Sequence, residues 1–365
     1  MKKSTLTPWE VSGDINYEKI TKEFGASLLK NSELEDINLH PLLRRGLYYS
    51  HRNFDSWIKS AKSGKKVSVI TGRGPSEKMH IGHLIPFILA KSLQDKFNCN
   101  VFIPISEDEK YFVKQKLSFE NAQKFADENI LDIIALGFNP DKTFIFKDFS
   151  YPIYPLAARI SKLITYSEAK AIFGLKPESN LGWTFYPAVQ ATHILFPQFH
   201  LGKHDVVVPV GIDQDPFIRL SRDVASHPSL NLSKPCAIHS KFLPGLKGTI
   251  KMSSSEEGTN VIYLNDSPKT VKEKINKYAF SGGKDTLEEH RKKGGNPDID
   301  ISFLYLKYIF EEDDKKLNEI EQDYRNGKLT SGELKKYLID KINEFLKNHN
   351  ASRERAKNQI DKFIL

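Results

Sequence analysis

The chain is expected to fold as an α/β protein on a doubly wound parallel sheet, with a helical domain at its C-terminal end. Three observations point there. Short β-branched runs alternate with helix-length stretches from about residue 65 to 240, the pattern of parallel strands joined by crossover helices. Glycine-rich or polar clusters follow several of those runs directly. After about residue 258 the strand signal fades and helical periodicity takes over.

The elements follow in order. Tyr17 to Leu29 has the spacing of an amphipathic helix, and Arg44-Arg45-Gly46 opens a charged segment. Ser63-Gly64-Lys65-Lys66 signals a turn ahead of Val67-Ser68-Val69-Ile70, read as a buried strand. A glycine-rich turn and a helix from about His80 to Phe97 come next, then a strand at Val101 to Ile105. Ser118 to Leu136 reads as a long helix, Thr143 to Phe146 and Val206 to Val210 as strands, and Ala237 to His239 as a weaker one. Beyond 258, Pro268 to Phe280, Ser302 to Phe310, Lys315 to Tyr324 and Ser331 to His349 read as helices, with Val261 to Leu264 the one strand-like run. The expected organisation is an N-terminal appended segment (1–60), a Rossmann-like catalytic domain (61–257) and a helical domain (258–365).

Composition narrows the class. Apolar residues make up 39% of the 365 and charged residues 27%, enough for a substantial core and unlike a disordered chain. No run approaches the ~18 apolar residues of a membrane span, and Met1-Lys2-Lys3-Ser4-Thr5 leads into no apolar signal stretch, so a cytoplasmic protein without membrane contact is expected. Two cysteines, Cys99 and Cys236, exclude a disulfide framework and a multi-cysteine zinc site, and no metal-ligand cluster is expected. The net charge of +8 is spread thinly, and 311–365 is neutral. A nucleic-acid surface would therefore be one face of a mixed-charge structure.

Ligands of open parallel sheets bind beyond the carboxyl ends of the strands. Four polar clusters fall there: Thr71-Gly72-Arg73-Gly74-Pro75-Ser76 with His80-Ile81-Gly82-His83, then Ser106-Glu107-Asp108-Glu109-Lys110, then Gly211-Ile212-Asp213-Gln214-Asp215, and last Lys251-Met252-Ser253-Ser254-Ser255. His80 and His83 share a helix face at a helix start, where free N–H groups and the dipole favour phosphate. Gly82 leaves room for a flat ring against the backbone. Lys251, in a segment after Gly245 and Gly248, could reach a pyrophosphate, and the serine hydroxyls beside it in sequence could add hydrogen bonds. Each motif has a bland alternative, an incidental helix start or a polar surface loop. Together, about 170 residues apart and ahead of a helical domain, they form a specific combination.

That combination resembles the HIGH and KMSKS signatures of class I aminoacyl-tRNA synthetases, complete for the first and one residue off for the second. The stretches T-G-R-G-P-S-E-K-M-H-I-G-H-L-I-P-F, G-I-D-Q-D-P-F and A-F-S-G-G-K-D-T-L-E-E-H-R, with the N-terminal P-W-E-V, resemble the tryptophanyl-tRNA synthetases of eukaryotic and archaeal type over nearly the whole chain. The resemblance implies activation of L-tryptophan by ATP, then transfer to the 3′-terminal adenosine of tRNA(Trp), in a homodimer whose helices after 258 read the anticodon. It places His80, His83, Lys251, Ser253 and Ser254 in catalysis. ATP would be held by Arg73, Gly74, His80, Gly82, His83, Asp213, Gln214, Lys251, Met252, Ser253, Ser254 and Ser255, with Mg²⁺ bridging the pyrophosphate. Glu109, Gln190 and Gln214 would hold the amino-acid substrate.

The chain departs from the family where the indole N–H is read. The family usually has tyrosine and glutamine at the positions of Ile70 and Pro104, and neither replacement side chain accepts a hydrogen bond. His193 lies three residues after Gln190, one helical turn along if 185–196 is helical, and is a candidate acceptor. The alternatives are a tyrosyl-tRNA synthetase, which usually has aspartate where His193 stands, a small-molecule nucleotidylyltransferase, which needs neither KMSSS nor a helical RNA domain, and a non-catalytic RNA-binding relative, which would have lost one signature.

Overall fold

The computed structural model describes residues 5–6, 11–12, 16–30, 34, 40–249, 252 and 258–365. The strands of its main sheet are Ser27–Leu28 (β1), Tyr48–Arg52 (β2), Val67–Ile70 (β3), Asn100–Ile105 (β4), Thr143–Lys147 (β5), Asp205–Gly211 (β6) and Cys236–Ser240 (β7). They lie in the order β1-β2-β7-β6-β3-β4-β5. The five from β7 to β5 are parallel, as expected. The chain runs outward from β3 to β5 and returns to place β6 on the other side of β3, so the strand order reverses between β3 and β6. A crevice opens at such a switch point.

The parallel strands are buried on both faces, which is why they read as unbroken apolar runs and not as alternation. One face is covered by Phe54–Lys62 (α3), Ile81–Phe97 (α4) and Phe119–Ile134 (α6), through Trp57, Leu84, Leu93 and Ile130. The other is covered chiefly by Tyr154–Ser161 (α7), Tyr166–Phe173 (α8), Leu181–Leu201 (α9) and Asp215–Ala225 (α10). The buried cysteines, Cys99 and Cys236, lie in the first of these cores.

The sheet extends beyond the strands legible in the sequence. β1 and β2 are antiparallel and come from the first 60 residues, β2 pairing with β7. Tyr48-Tyr49-Ser50-His51-Arg52 has too many polar groups to read as a buried strand, yet its first four residues are buried. The polar groups are held by partners: Arg52 donates to Asp215 at 2.6 and 2.8 Å, and Ser50 Oγ lies 3.1 Å from His239 Nδ1. The helix expected over 17–29 ends at Glu23, because Gly25 takes the left-handed conformation (φ +64°) and turns the chain into β1.

The helices after 258 are Pro268–Tyr278 (α11), Leu287–Lys293 (α12), Ile301–Tyr305 (α13), Asp314–Arg325 (α14) and Ser331–Ala356 (α15). The stretch expected as one helix over 302–310 widens to a π turn at Leu306–Phe310. Val261 to Leu264 is not a strand. It runs beside the start of α4, where Ile81 N–H donates to Ile262 and Leu264 N–H to Met79 at 3.0 Å each. These helices share one core with the sheet: Phe303, Tyr305, Leu334 and Ile342 belong with Val69, Leu84 and Ile103. Arg353 and His349 of α15 both engage Asp132 of α6, at 2.9 and 3.3 Å. Among the described residues no helix is long and apolar enough to cross a membrane.

Candidate active site

A cavity of about 520 Å³ opens at the carboxyl ends of β3, β4 and β6. Arg73, Gly74, His80, Gly82, His83, Glu109, Gln190, His193, Asp213, Gln214 and Met252 all line it. Every sequence-predicted site residue that the structure describes is therefore in one place. Lys251, Ser253, Ser254 and Ser255 lie outside the described residues.

The side formed by the turn after β3 and the start of α4 is built on backbone. After β3 the chain keeps close to β4, with Thr71 N–H donating to Phe102, Arg73 N–H to Pro104 and Ser106 N–H to Arg73. This close pairing requires glycine at 72, where a Cβ would sit 2.8 Å from the Pro104 carbonyl oxygen; at Gly74 a Cβ would press on the movable ends of the Glu109 and Lys110 side chains. His80 caps α4. Its N–H donates to His83 Nδ1 at 3.2 Å, and the two rings stack with centroids 3.5 Å apart. Burial, reinforced by the Arg73 cation, pushes the His80 imidazole down to about 3, so it stays neutral. His80 Nδ1 is buried without a hydrogen-bond partner among the described residues. Arg73 donates from Nε to Asn129 Oδ1 at 3.2 Å and leaves one buried terminal nitrogen without such a partner. Burial lowers its guanidinium to about 10, which still leaves it charged near neutrality. A Cβ on Gly82 would meet Met252 Sδ at 2.9 Å, so the KMSSS methionine packs directly on the HIGH turn.

The other side draws on α5 (Glu107–Val113) and α9. Glu109 Oε1 accepts from Lys110 Nζ at 2.7 Å, Gln190 Oε1 from the Tyr186 hydroxyl at 2.8 Å, and Gln214 Nε2 donates to Asp213 at 3.1 Å. Ile70 and Pro104 line the cavity as expected and offer no side-chain acceptor. His193 lies within helix α9, as its spacing from Gln190 requires, and its Nε2 is 2.7 Å from Asp148 Oδ1. Burial pushes the His193 imidazole down to about 4, against the nearby carboxyls of Asp108, Glu107 and Glu109.

Behind His193 stands a group of which the sequence reading named Glu107 and Asp108 only as part of the polar cluster after β4. Glu107, Asp108 and Asp148 are buried together. Glu107 accepts the backbone N–H groups of Asp148 and Phe149 at 3.2 and 3.0 Å, and Asp108 accepts from the Tyr154 hydroxyl at 2.7 Å. Burial pushes Asp108 up to about 9, helped by Asp148 beside it. Burial raises Asp148 as well, so the pair keeps a proton, and the hydrogen bond that Asp108 gives Asp148 puts it on Asp108. A signal for Asp148 existed: it is the first residue after β5, the one strand whose following residues were not read for a polar cluster. Among the described residues no three His, Cys, Asp or Glu side chains converge to hold a metal.

Comparison with known proteins gives a consistent answer. The family model for class I tRNA synthetases (W and Y) matches residues 62–347. The tryptophan–tRNA ligase of Sulfurisphaera tokodaii is 49% identical over 98% of this chain and 94% of its own length, and that of Saccharolobus solfataricus 48% over the same shares. A tryptophanyl-tRNA synthetase structure from Encephalitozoon cuniculi, bound to tryptophan, superposes with a TM-score of 0.88 at 36% identity, covering 97% of this chain and 99% of that one.

Proposed function

The chain belongs to the class I tRNA synthetases for tryptophan and tyrosine, and from that premise we propose how its cavity carries out the reaction. The enzyme is a tryptophan–tRNA ligase with ATP as co-substrate. The carboxylate of L-tryptophan attacks the α-phosphate of ATP, the bond to the β-phosphate oxygen breaks, and tryptophanyl-adenylate and pyrophosphate form. The 2′-hydroxyl of the terminal tRNA adenosine then takes the acyl group and releases AMP.

No enzyme nucleophile is needed, so catalysis is placement plus stabilisation of moving phosphate charge. Neutral His80 donates a hydrogen bond to phosphate without adding charge, and His83 stacks on it. Arg73 supplies a fixed cation next to them. Gly74 and Gly82 let the nucleotide approach the backbone, with Asp213 and Gln214 on the ribose and Met252 against the base. Lys251 and Ser253, Ser254 and Ser255 neutralise the departing pyrophosphate. Glu109 and Gln190 hold the tryptophan amino group and flank, with Gln214 beside them. Mg²⁺ would accompany the triphosphate and offset its charge, and among the described residues no cluster of carboxylates would hold it separately. The enzyme works as a cytoplasmic homodimer, and the helices of 258–365 carry the anticodon contacts.

One observation supports this reading above the rest: all eleven described site residues line a single cavity at the strand-order switch point. The test is pyrophosphate exchange with each of the twenty amino acids. Tryptophan should drive exchange. Exchange with tyrosine alone would transfer the assignment to the sister enzyme, and exchange with none would remove it.

A further inference from the structure

The site described above has a hole in its chemistry. An indole N–H buried without an acceptor is costly, and the two positions at which the resemblance leads one to expect one carry Ile70 and Pro104. The remaining side-chain acceptors on that side are largely spoken for. Gln190 Oε1 accepts from Tyr186, and Glu109 Oε1 from Lys110. His193 is different. It lines the cavity, and its hydrogen bond among the described residues uses Nε2 alone.

We propose that the buried pair Asp148–His193 reads the indole N–H of tryptophan, with His193 Nδ1 as the acceptor and Asp148 as the positioning residue that fixes the tautomer. This rests on the reading of the cavity as the tryptophan site.

The proton inventory supports it. An imidazole nitrogen accepts only when it carries no hydrogen, so Nδ1 accepts when Nε2 holds the ring's single proton. Nε2 holds it when it faces an ionised carboxylate 2.7 Å away. Burial raises Asp148, and the hydrogen bond that protonated Asp108 gives it opposes that rise and favours its ionised form. Asp148 Oδ2 is buried and has no other hydrogen-bond partner among the described residues, and Asp108 holds the proton of the pair. Tyr154 donates to Asp108 from the other side. The order Tyr154 → Asp108 → Asp148 ← His193 leaves Nδ1 bare. Phe146, with its ring centroid 6.0 Å from the imidazole, and Phe196, 4.8 Å from Phe146, pack this wall from behind.

The experiment compares L-tryptophan with β-(3-benzothienyl)-L-alanine, which has nearly the same shape and no N–H. Binding of each is measured calorimetrically, and exchange kinetics in parallel. The wild type should favour tryptophan by roughly tenfold or more, the cost of losing one buried hydrogen bond. His193→Phe should bring the ratio close to one and leave the ATP Michaelis constant in place. Asp148→Asn should do the same with little volume change, because an amide donating to Nε2 moves the ring proton to Nδ1. If Asp148 were merely structural, its variant would weaken both ligands equally and keep the ratio, which would overturn its role. His193→Gln, which retains an acceptor, should keep part of the preference and serves if the phenylalanine variant does not fold. A wild-type ratio near one, or an unchanged ratio in His193→Phe, would end the proposal. Absence of tryptophan-driven exchange in the wild type would instead remove the functional reading beneath it.

Discussion

The two halves of the cavity specify their ligands by different means. The half proposed for the nucleotide is made of short local segments: the turn after β3 and the start of α4, with Met252 packed on it. Its binding groups are backbone N–H groups, glycines and side chains close together in sequence, so a few tripeptide-scale patterns describe it. The amino-acid half is made of single side chains from β3, β4, β5 and α9, brought together only by strand order. Ile70, Pro104, Asp148 and His193 span 124 positions in the chain and meet because β3, β4 and β5 are neighbours. Under the proposed assignment, nucleotide chemistry is fixed by motif and side-chain selectivity by topology.

The sharpest way to break that contrast is Lys251→Ala. If the nucleotide half acts on charge that develops only in flight, the variant should raise the activation barrier by about 2–4 kcal/mol with tryptophan affinity nearly unmoved. Single-turnover adenylate formation and equilibrium tryptophan binding separate the two. Loss of tryptophan binding with unchanged chemistry would show that the halves are not independent.

Gly82→Ala comes next. The added methyl meets Met252 Sδ at 2.9 Å and the His80 ring at 3.2 Å. The thioether is the end of a flexible side chain and can yield, and alanine is the better helix former, so the fold should hold. The nucleotide half has no such slack. The ATP Michaelis constant should rise by the equivalent of about 1–3 kcal/mol, with tryptophan binding unchanged. A folded variant with normal ATP kinetics would mean that the base does not lie against Gly82.

How much was legible follows the same division. The parallel strands read correctly because they are buried on both faces, and the long helices α4, α6 and α15 because each repeats its apolar period several times. β2 escaped notice because its polar side chains are satisfied by partners distant in sequence, Arg52 by Asp215 and Ser50 by His239. A local pattern does not contain that compensation. Likewise His80, His83 and Gly82 stand out by their spacing and Arg73 by its place after β3, whereas Asp108 shows only as one member of the cluster after β4, and Asp148 looks like an ordinary surface acid until the fold buries it. Helix α9 was inferred only as the condition for His193 to face the cavity. It runs through Pro187 and Pro197, which argue against a helix locally and are outweighed by its buried apolar surface.

A smaller effect tests the buried carboxyls. Asp108 is raised from its usual 3.8 to about 9 in the folded protein. The folded state therefore binds a proton that the unfolded state has released, and this contribution to stability, complete below 3.8, is lost as pH rises toward 9. His193 is neutral in both states above about pH 7 and adds nothing in that window. The wild type should lose thermal stability between pH 7 and pH 9 relative to Asp108→Asn, whose amide has no proton to lose. Parallel melting curves for the two proteins would place the buried proton elsewhere.

The smallest expected effect is a flat line. A histidine exposed to water titrates near 6.5, and its acceptor nitrogen would be lost as the medium is acidified through that value. His193 is held down to about 4 by burial, against the opposing pull of Asp108, Glu107 and Glu109, with Asp148 directly on its Nε2. With the tautomer fixed by Asp148, protonation is the pH-dependent step that turns Nδ1 from acceptor to donor, and it lies below the working range. The preference for tryptophan over its benzothienyl isostere should therefore change by less than about twofold between pH 8 and pH 5.5. It should collapse only near pH 4, if the fold survives there. A preference that halves repeatedly between pH 7 and pH 6 would show the ring-reading wall to be wet. In that case water, not Asp148, would set the tautomer of His193, and the amino-acid half would be no more preorganised than a surface loop.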